Sequence, residues 1–312
     1  MIKLSRRRLA LGVVCAALVT LPAVAGWTTG RSIRPAAAPP PAPAGSVTPS
    51  EIATPPAVAA TLSPSPTSTE AALPADLGAP IGWKLSDVPR FPRAPAPEPI
   101  TLPPGDEVPF LSRVPVIQPV VFLTIDDGVL KNPEAPKLFA AAGIPVTLFL
   151  TTDFIQDDVP FFDRLRDYGA VIEAHTISHP ELAGKSESFQ RQQICAGADR
   201  LGQWYGRRPV LFRPPFGDKN STTLRVAKSC GIKAAFMWKE TIDKGKVRYQ
   251  EGRTIQPGDI ILMHFRPAFV KDFLAALRAI HKAGLRPALL EDYVPLTDGP
   301  PPTRARRPGV QD

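Results

Sequence analysis

Carboxylates and imidazoles stand at the ends of apolar runs in this 312-residue chain. Asp126-Asp127 closes the run at 120–125, and His175 and His179 follow the run at 171–174, four residues apart. Two histidines and one carboxylate can hold a catalytic zinc ion and leave one coordination position for water. We therefore expect one divalent metal ion here, with zinc preferred and cobalt or nickel open, because spacing does not discriminate among them.

Two more reactive side chains follow apolar runs of the same kind. Arg213 precedes the rigid Pro214-Pro215 pair, and His264 ends the run at 259–263. Either residue alone is more simply structural, and His281, inside a predicted helix, receives no role. Three histidines, two carboxylates and an arginine at predicted strand ends nevertheless favour a functional site over coincidence.

Alternating strands and helices must position these side chains. The apolar, β-branched pattern predicts strands at 120–125, 146–150, 171–174, 210–212, 233–237, 259–263 and 287–290, with helices at 135–142, 161–168, 187–205, 222–229 and 269–283. This alternation predicts an α/β fold, an irregular (β/α) barrel of about seven parallel strands. Working residues of such barrels lie past the C-terminal ends of the strands.

At these positions the chain resembles the polysaccharide deacetylase family, the carbohydrate esterases built on the NodB homology domain. Residues 124–128, 175–179 and 213–217 are similar to its first three motifs, in order, and 262–264 to its fifth. The resemblance covers residues 111–297. It implies a NodB-like deacetylase barrel that removes acetyl groups from an N-acetylated polysaccharide.

The resemblance also implies a role for each residue that matches a motif. Asp127, His175 and His179 would hold the metal ion. Asp126, oriented by Arg213, would act as the general base towards the attacking water. The products would be acetate and a free sugar amine.

Three further roles concern the oxyanion, the leaving group and the acetyl pocket. The backbone N–H of Phe216, where the family usually has tyrosine, would stabilise the oxyanion. His264 would protonate the leaving amine, and Leu262 would line the acetyl pocket. The fourth motif departs from the family, because no tryptophan follows its acid; we expect Glu240 to pair with His264, with Asp243 as the alternative.

Two other functions stay open. The domain could be a catalytically impaired carbohydrate-binding module, although binding alone requires neither Asp126 nor His264. It could also hydrolyse another amide or an ester, since the acetyl-sugar assignment rests on resemblance.

The N-terminal third predicts export and a spacer. Residues 1–25 have the basic head, apolar middle and small-residue cleavage site of a signal peptide, with a twin-arginine type or an uncleaved anchor left open. Residues 26–110 predict a Pro/Ala/Ser-rich linker, because 20 of the 39 prolines lie between Pro35 and Pro109. The alternative for residues 83–110 is that Trp83, Phe91 and Phe110 lie against the domain. The deacetylase-like domain would then occupy 111–297 and a disordered basic tail 298–312.

The net charge and the cysteines limit which partners and which cellular compartment we expect. The net charge of +8 would fall to +4 with loss of the four basic residues of the signal. Lys and Arg form no dense run with aromatics, so we expect no nucleic-acid partner. The resemblance implies a glycan substrate, and we expect a monomer. A membrane contact is expected only with an uncleaved anchor. We expect a secreted, envelope-associated protein in which Cys195 and Cys230 form a disulfide, the alternative being two buried thiols.

Overall fold

The computed structural model describes residues 73–295. The predicted signal peptide, the linker up to residue 72 and the tail at 298–312 lie outside this range. Within it, no helix combines the length and the apolar character needed to cross a bilayer.

Ten strands occur in the described part of the chain. They are β1 Phe110–Leu111, β2 Val120–Asp127, β3 Val146–Leu150, β4 Ala170–Ala174, β5 Leu211–Phe212, β6 Ala234–Phe236, β7 Glu240–Asp243, β8 Lys246–Tyr249, β9 Ile260–His264 and β10 Arg286–Pro287. The α-helices are α1 Ala135–Ala142, α2 Thr152–Ile155, α3 Val159–Asp167, α4 Glu187–Arg191, α5 Gly197–Tyr205, α6 Ser221–Ser229, α7 Phe269–Lys282 and α8 Leu290–Tyr293. A π-helical turn, Gln192–Ala196, joins α4 to α5, and short 3-10 turns lie at Ala75–Leu77, Leu85–Asp87 and Pro215–Gly217.

The strands form one curled sheet, a half-barrel that confirms the predicted α/β architecture. Its order is β1-β6-β5-β4-β3-β2-β9-β7-β8, with β10 beside β2. All strand pairs are parallel except the β7–β8 hairpin. The hairpin was not predicted, and a helix begins at Leu290, the last residue of the strand predicted at 287–290.

Two layers of apolar side chains surround the sheet. The larger lies between the sheet and its helices, and the smaller fills the concave side around Phe122, Phe149 and Phe236. Burial on both faces explains why β2 and β3 read as continuous apolar runs.

Helix starts follow from ordinary capping chemistry. Asp158, Ser186 and Asn220 accept hydrogen bonds from backbone amides in the first turns of α3, α4 and α6. Each cap satisfies a backbone donor that has no partner inside its helix. The strand-to-helix transitions that place the candidate residues are therefore specified locally.

The segment 73–109, which the sequence analysis places in the linker, packs on the sheet and its helices. Trp83, Val88 and Val108 are buried in the larger core. The Trp83 indole N–H donates to Glu134 Oε2 at 2.7 Å, and Ile81 N donates to the same atom at 2.9 Å. The packed region thus begins before residue 111, because aromatic and apolar residues within the proline-rich stretch reach the core.

Candidate metal centre and active site

Three side chains converge where β2 and β4 end. Asp127 is the last residue of β2, His175 directly follows β4, and His179 lies in the next loop. Asp127 Oδ1 is 3.3 Å from His179 Nε2 and 3.6 Å from His175 Nε2. One ligand atom from each residue lies within 4.8 Å of the other two.

These distances fit a shared metal ion. Two atoms bound at zinc's usual O and N distances in a tetrahedron lie about 3.3 Å apart. Asp127 Oδ1 is buried and has no hydrogen-bond partner among the described residues, as expected for an atom that faces a cation. Burial would raise the pKa of Asp127, but the neighbouring His175, His264 and His179 together lower it. The carboxylate is thereby kept as an anionic ligand.

The tautomer of His175 follows from its other neighbour. Its Nδ1 lies 2.6 Å from the carbonyl oxygen of Arg213, which can only accept a hydrogen bond. Nδ1 must therefore carry a proton, so the neutral ring has its lone pair on Nε2, the atom that faces Asp127. Burial and the neighbouring His175 lower the pKa of His179, which favours the neutral form that can coordinate a metal.

The loops around this centre have an uncommon backbone. Asp127, Thr176, His179 and Phe216 have φ angles between 60° and 76°, in the left-handed region. Non-glycine residues in sparsely populated regions cost about 1–3 kcal/mol each and cluster at functional sites. The Thr176 hydroxyl offsets part of this cost by accepting a hydrogen bond from His179 N at 3.0 Å.

Asp126 is held by a buried arginine. Arg213 Nη1 donates to Asp126 Oδ1 at 2.6 Å and to Thr124 Oγ1 at 2.8 Å, and Nη2 donates to the Met237 carbonyl at 3.1 Å. Burial lowers the pKa of Arg213, and the charge of Asp126 opposes that shift. These contacts fix the Asp126 carboxylate beside His175, whose Nε2 is 3.7 Å from Asp126 Oδ2.

His264 ends β9 opposite Asp126. The two residues are paired in register across the parallel strands β2 and β9, so their side chains leave the sheet on the same side. Burial lowers the pKa of His264, while Asp126 and Asp127 act in the opposite direction. Leu262 lies two residues earlier on the same face and is buried.

Phe216 covers the outer side of the centre. Its ring lies 4.6 Å from that of His179, centroid to centroid, and 63% of its surface is exposed. Gly217 follows with φ 71°, and a Cβ there would approach Met237 Sδ to 2.4 Å. The left-handed backbone of the 213–217 turn thus favours glycine at its last position.

The model of the family described as polysaccharide deacetylase matches residues 113–235. A Streptomyces coelicolor protein described as uncharacterized is 37% identical over 192 residues, which are 60% of this chain and 77% of that protein. The chain belongs to the polysaccharide deacetylase family.

Other relatives of this family are named by activity or by its loss. The peptidoglycan-N-acetylmuramic acid deacetylase PdaA of Bacillus subtilis is 27% identical, over 46% of this chain and 59% of that protein. A solved family 4 carbohydrate esterase from Bacillus anthracis, described as a pseudoenzyme, superposes with a TM-score of 0.52 at 18% identity, over 61% of this chain and 69% of that one. The latter likeness shows the shared fold alone.

One predicted site residue of this family member lies elsewhere. Glu240 pairs in register with Ile261, three residues before His264, because β7 and β9 run parallel. Its carboxyl group lies beside Asp259 and Arg113, and burial followed by Asp259 raises the pKa of Glu240 to about 8. The expected Glu240–His264 pair is therefore wrong.

The alternative acid of the fourth motif is also separate from His264. Asp243 forms an ion pair with Arg248 across the β7–β8 hairpin, at 3.3 Å. The charged groups that act most strongly on His264 are Asp126, Asp127, Arg266 and His175. The acids with the largest effect on His264 are thus the two of the first motif.

Two neighbours of the site were not recognised from the sequence. Trp238 precedes Glu240, and the Arg213 guanidinium carbon lies 5.7 Å from its ring centroid. Asp218 Oδ2 accepts hydrogen bonds from the amides of Leu182 and Ala183, at 2.7 and 2.8 Å, and ties the 213–218 turn to the loop after His179. The only local signals in the sequence were that Trp238 follows a predicted strand and that Asp218 follows a matched motif.

Proposed function

We propose that the chain is an exported, metal-dependent N-deacetylase that hydrolyses acetamide groups of an N-acetylated envelope glycan. A single arrangement carries the proposal. The same end of the curled sheet holds the candidate metal ligands, the Asp126–Arg213 pair and His264. Family membership, with its metal-dependent deacetylases, supports the same reaction class.

Asp127, His175 and His179 would hold the metal ion, with zinc preferred and cobalt or nickel open. When bound, such an ion polarises the acetamide carbonyl and lowers the pKa of a water molecule. The lone pair of His175 Nε2 is available because its Nδ1 proton is engaged by a backbone carbonyl.

Asp126 would take the proton of the attacking water, because Arg213 and Thr124 hold the carboxylate in one orientation. His264, on the adjacent strand end, would give a proton to the leaving nitrogen as the C–N bond breaks. Water and the acetamide then yield acetate and a free amine. The Phe216 backbone N–H would stabilise the oxyanion, and Leu262 would line the acetyl pocket.

A glycan of the cell envelope is the favoured substrate class. The activities named for relatives include peptidoglycan deacetylation in Bacillus subtilis and Bacillus cereus. Export by the N-terminal segment, the absence of a nucleic-acid partner and a monomeric state belong to the same proposal. A bilayer would be contacted only through an uncleaved N-terminal anchor.

A glycan-binding domain without turnover is the second candidate. The observation that favours it is the separation of Glu240 and Asp243 from His264, which leaves the fourth motif without its usual acid. A hydrolase of another amide or ester would share the same centre.

Release of acetate separates these candidates. The zinc-loaded protein would be incubated with peptidoglycan, N-acetylated chitin oligomers, acetylated xylan and a simple aryl ester, and acetate and free amine would be measured. We expect equal amounts of acetate and amine from at least one N-acetylated glycan, abolished by a chelator. Binding without acetate would support the second candidate, and acetate from the esters alone would contradict N-deacetylation.

A further inference from the structure

The helix that packs behind the metal-binding loop is interrupted by a π-helical turn. Residues 187–205 run through α4, the turn Gln192–Ala196 and α5 without a break. Such turns insert an extra residue into a helix and are frequent at functional sites. Here the turn directs Gln193 inward, where it is buried, while its neighbour Gln192 is exposed.

Gln193 binds the middle of the loop between the two histidines. Its Oε1 accepts hydrogen bonds from the backbone amides of Ile177 and Ser178, both at 3.1 Å. Its Nε2 donates to Ser178 Oγ, also at 3.1 Å. The orientation of the carboxamide is unambiguous, because backbone N–H groups can only donate.

Two other features hold this turn against the loop. A Cβ at Gly197 would lie 3.1 Å from the Thr176 carbonyl carbon, so the helix backbone touches the loop directly. Cys195, within the turn, forms a disulfide with Cys230 at the C-terminal end of α6. The carboxamide of Gln193 is therefore delivered from a fixed support.

The loop needs such support because its own backbone is unfavourable. Thr176 and His179 are both left-handed, with φ angles of 71° and 60°. Without Gln193, two part-buried amides would lose their partners, and the loop could relax away from this shape. His179 Nε2 would then leave its position 3.3 Å from Asp127 Oδ1.

We propose that Gln193 is a positioning residue for the metal-binding loop and raises metal affinity through Ile177 and Ser178. The inference rests on the proposed metal site and adds a residue that touches neither the ion nor the substrate. Supporting side chains behind metal ligands change metal affinity by ~10–100-fold when removed. We expect a loss of that size.

The test uses the full chain and three variants. Gln193→Met keeps the length of the side chain and removes its polar atoms. Gln192→Met makes the same exchange at the exposed neighbour. Gln193→Glu keeps oxygen acceptors for both amides. Zinc affinity would be measured by competition with a chelator, and hydrogen exchange of the Ile177 and Ser178 amides would be followed in zinc-free protein.

Gln193→Met should bind zinc ~10–100-fold more weakly and exchange the two amides faster. Gln192→Met should match the parent, and Gln193→Glu should recover most of the affinity. Faster exchange spread over the whole sheet would indicate general destabilisation and overturn a local role. If Gln193→Met does not fold, the smaller Gln193→Ala replaces it, since it removes the same polar atoms and adds no bulk.

Unchanged zinc affinity in folded Gln193→Met or Gln193→Ala, with a parent that binds zinc, would overturn the role of Gln193 and leave the proposed function standing. Equal losses in Gln192→Met and Gln193→Met would overturn it too. A parent chain that binds no divalent ion would contradict the proposed function as well.

Discussion

Two adjacent aspartates serve one centre because the strand ends at the second of them, where the backbone turns. In a continuing strand, successive side chains point to opposite faces. Asp127 has φ 76°, which redirects the chain, and His175 Nε2 lies 3.7 Å from Asp126 Oδ2 and 3.6 Å from Asp127 Oδ1. One carboxylate faces the arginine and the other faces the imidazoles, so they can act as base and as ligand.

The acid and base assignments predict losses of turnover without loss of metal. Asp126→Asn and His264→Ala should each lower kcat by ~10²–10⁴-fold, the usual contribution of a general acid or base. Steady-state acetate release and elemental analysis of the same samples would measure both quantities. His281→Ala, in α7 against Phe91, is the matched control and should keep parent activity. Equal turnover in all variants would contradict the assignments.

The ligand assignment predicts loss of metal. The parent should contain about one zinc ion per chain, since the ligand set holds a single ion. The double variant His175→Ala/His179→Ala should contain almost none, because one carboxylate remains of three ligands. Elemental analysis after dialysis is the measurement. Zinc retained by the double variant would place the ion elsewhere.

The residues of this centre were predictable because they lie at the ends of strands or in the loops that follow them. Asp127, His175 and His264 are encoded next to apolar runs, and parallel strands bring their C-terminal ends together. Gln193 was not predictable in this way. It lies inside a helix, and its role depends on a π-helical turn that carries no local pattern.

At the scale of elements, the β7–β8 hairpin determines where Glu240 lies. The turn Lys244-Gly245 has two positive φ angles, as a tight two-residue hairpin turn requires. It pairs β7 with β8, and β7 in turn pairs with β9, where Glu240 lies opposite Ile261. The turn could have been read from the sequence, but the register against β9 could not, because it depends on tertiary packing.

The surroundings of Glu240 predict a loss of stability as the pH rises from about 4.5 to about 8. Its pKa is raised from 4.5 to about 8 by burial and by Asp259, so folding favours the neutral carboxyl group. The stabilisation is complete below about pH 4.5 and lost as the pH rises through about 8. Glu240→Gln should therefore show a smaller fall in Tm between pH 6 and pH 9 than the parent. The corresponding difference in the free energy of unfolding is ~2 kcal/mol or more.

Thermal unfolding across that range is the measurement, and Asp243→Asn on the same strand is the control. Asp243 pairs with Arg248 at the surface, so its variant should keep the parent's pH dependence. Glu240→Gln should also leave the pH profile of acetate release unchanged. A shifted profile would restore the discarded pairing with His264.

The disulfide between Cys195 and Cys230 should add to the free energy of unfolding. Cys195 and Cys230 are 35 residues apart, and closing a loop of that length stabilises by about 3–4 kcal/mol. Cys195→Ser/Cys230→Ser should lose roughly that free energy of unfolding in urea. The parent under reducing conditions should behave like the variant. Equal stability in all three samples would show that the bond adds nothing to the fold.

For the whole molecule, the N-terminal segment sets the limits of the folded unit. A chain that begins at residue 73 should unfold like the full chain, whereas one that begins at residue 112 should be less stable. Trp83, Val88 and Val108 each contribute roughly 1.5–3 kcal/mol by burial. Solubility and Tm of the two chains would decide. Equal stability would return the boundary to residue 111.

Composition concealed this boundary. A segment dominated by proline predicts a spacer, and the apolar residues in it are too sparse to show a period. Their partners lie far along the chain: Trp83 meets Glu134, and the Val108 amide donates to the Leu224 carbonyl. Contacts across such distances depend on the assembled sheet.

The four non-glycine residues with left-handed backbone around the metal centre have a consequence for laboratory evolution. If random variants of this protein were screened only for survival after heating, glycine or asparagine should accumulate at Asp127, Thr176, His179 and Phe216, because each exchange relieves a backbone penalty. The variants selected at Asp127 and His179 would be heat-stable proteins that no longer bind a metal ion. Selection for heat stability and selection for catalysis would therefore favour different residues at these positions. Both selections would have to be applied together.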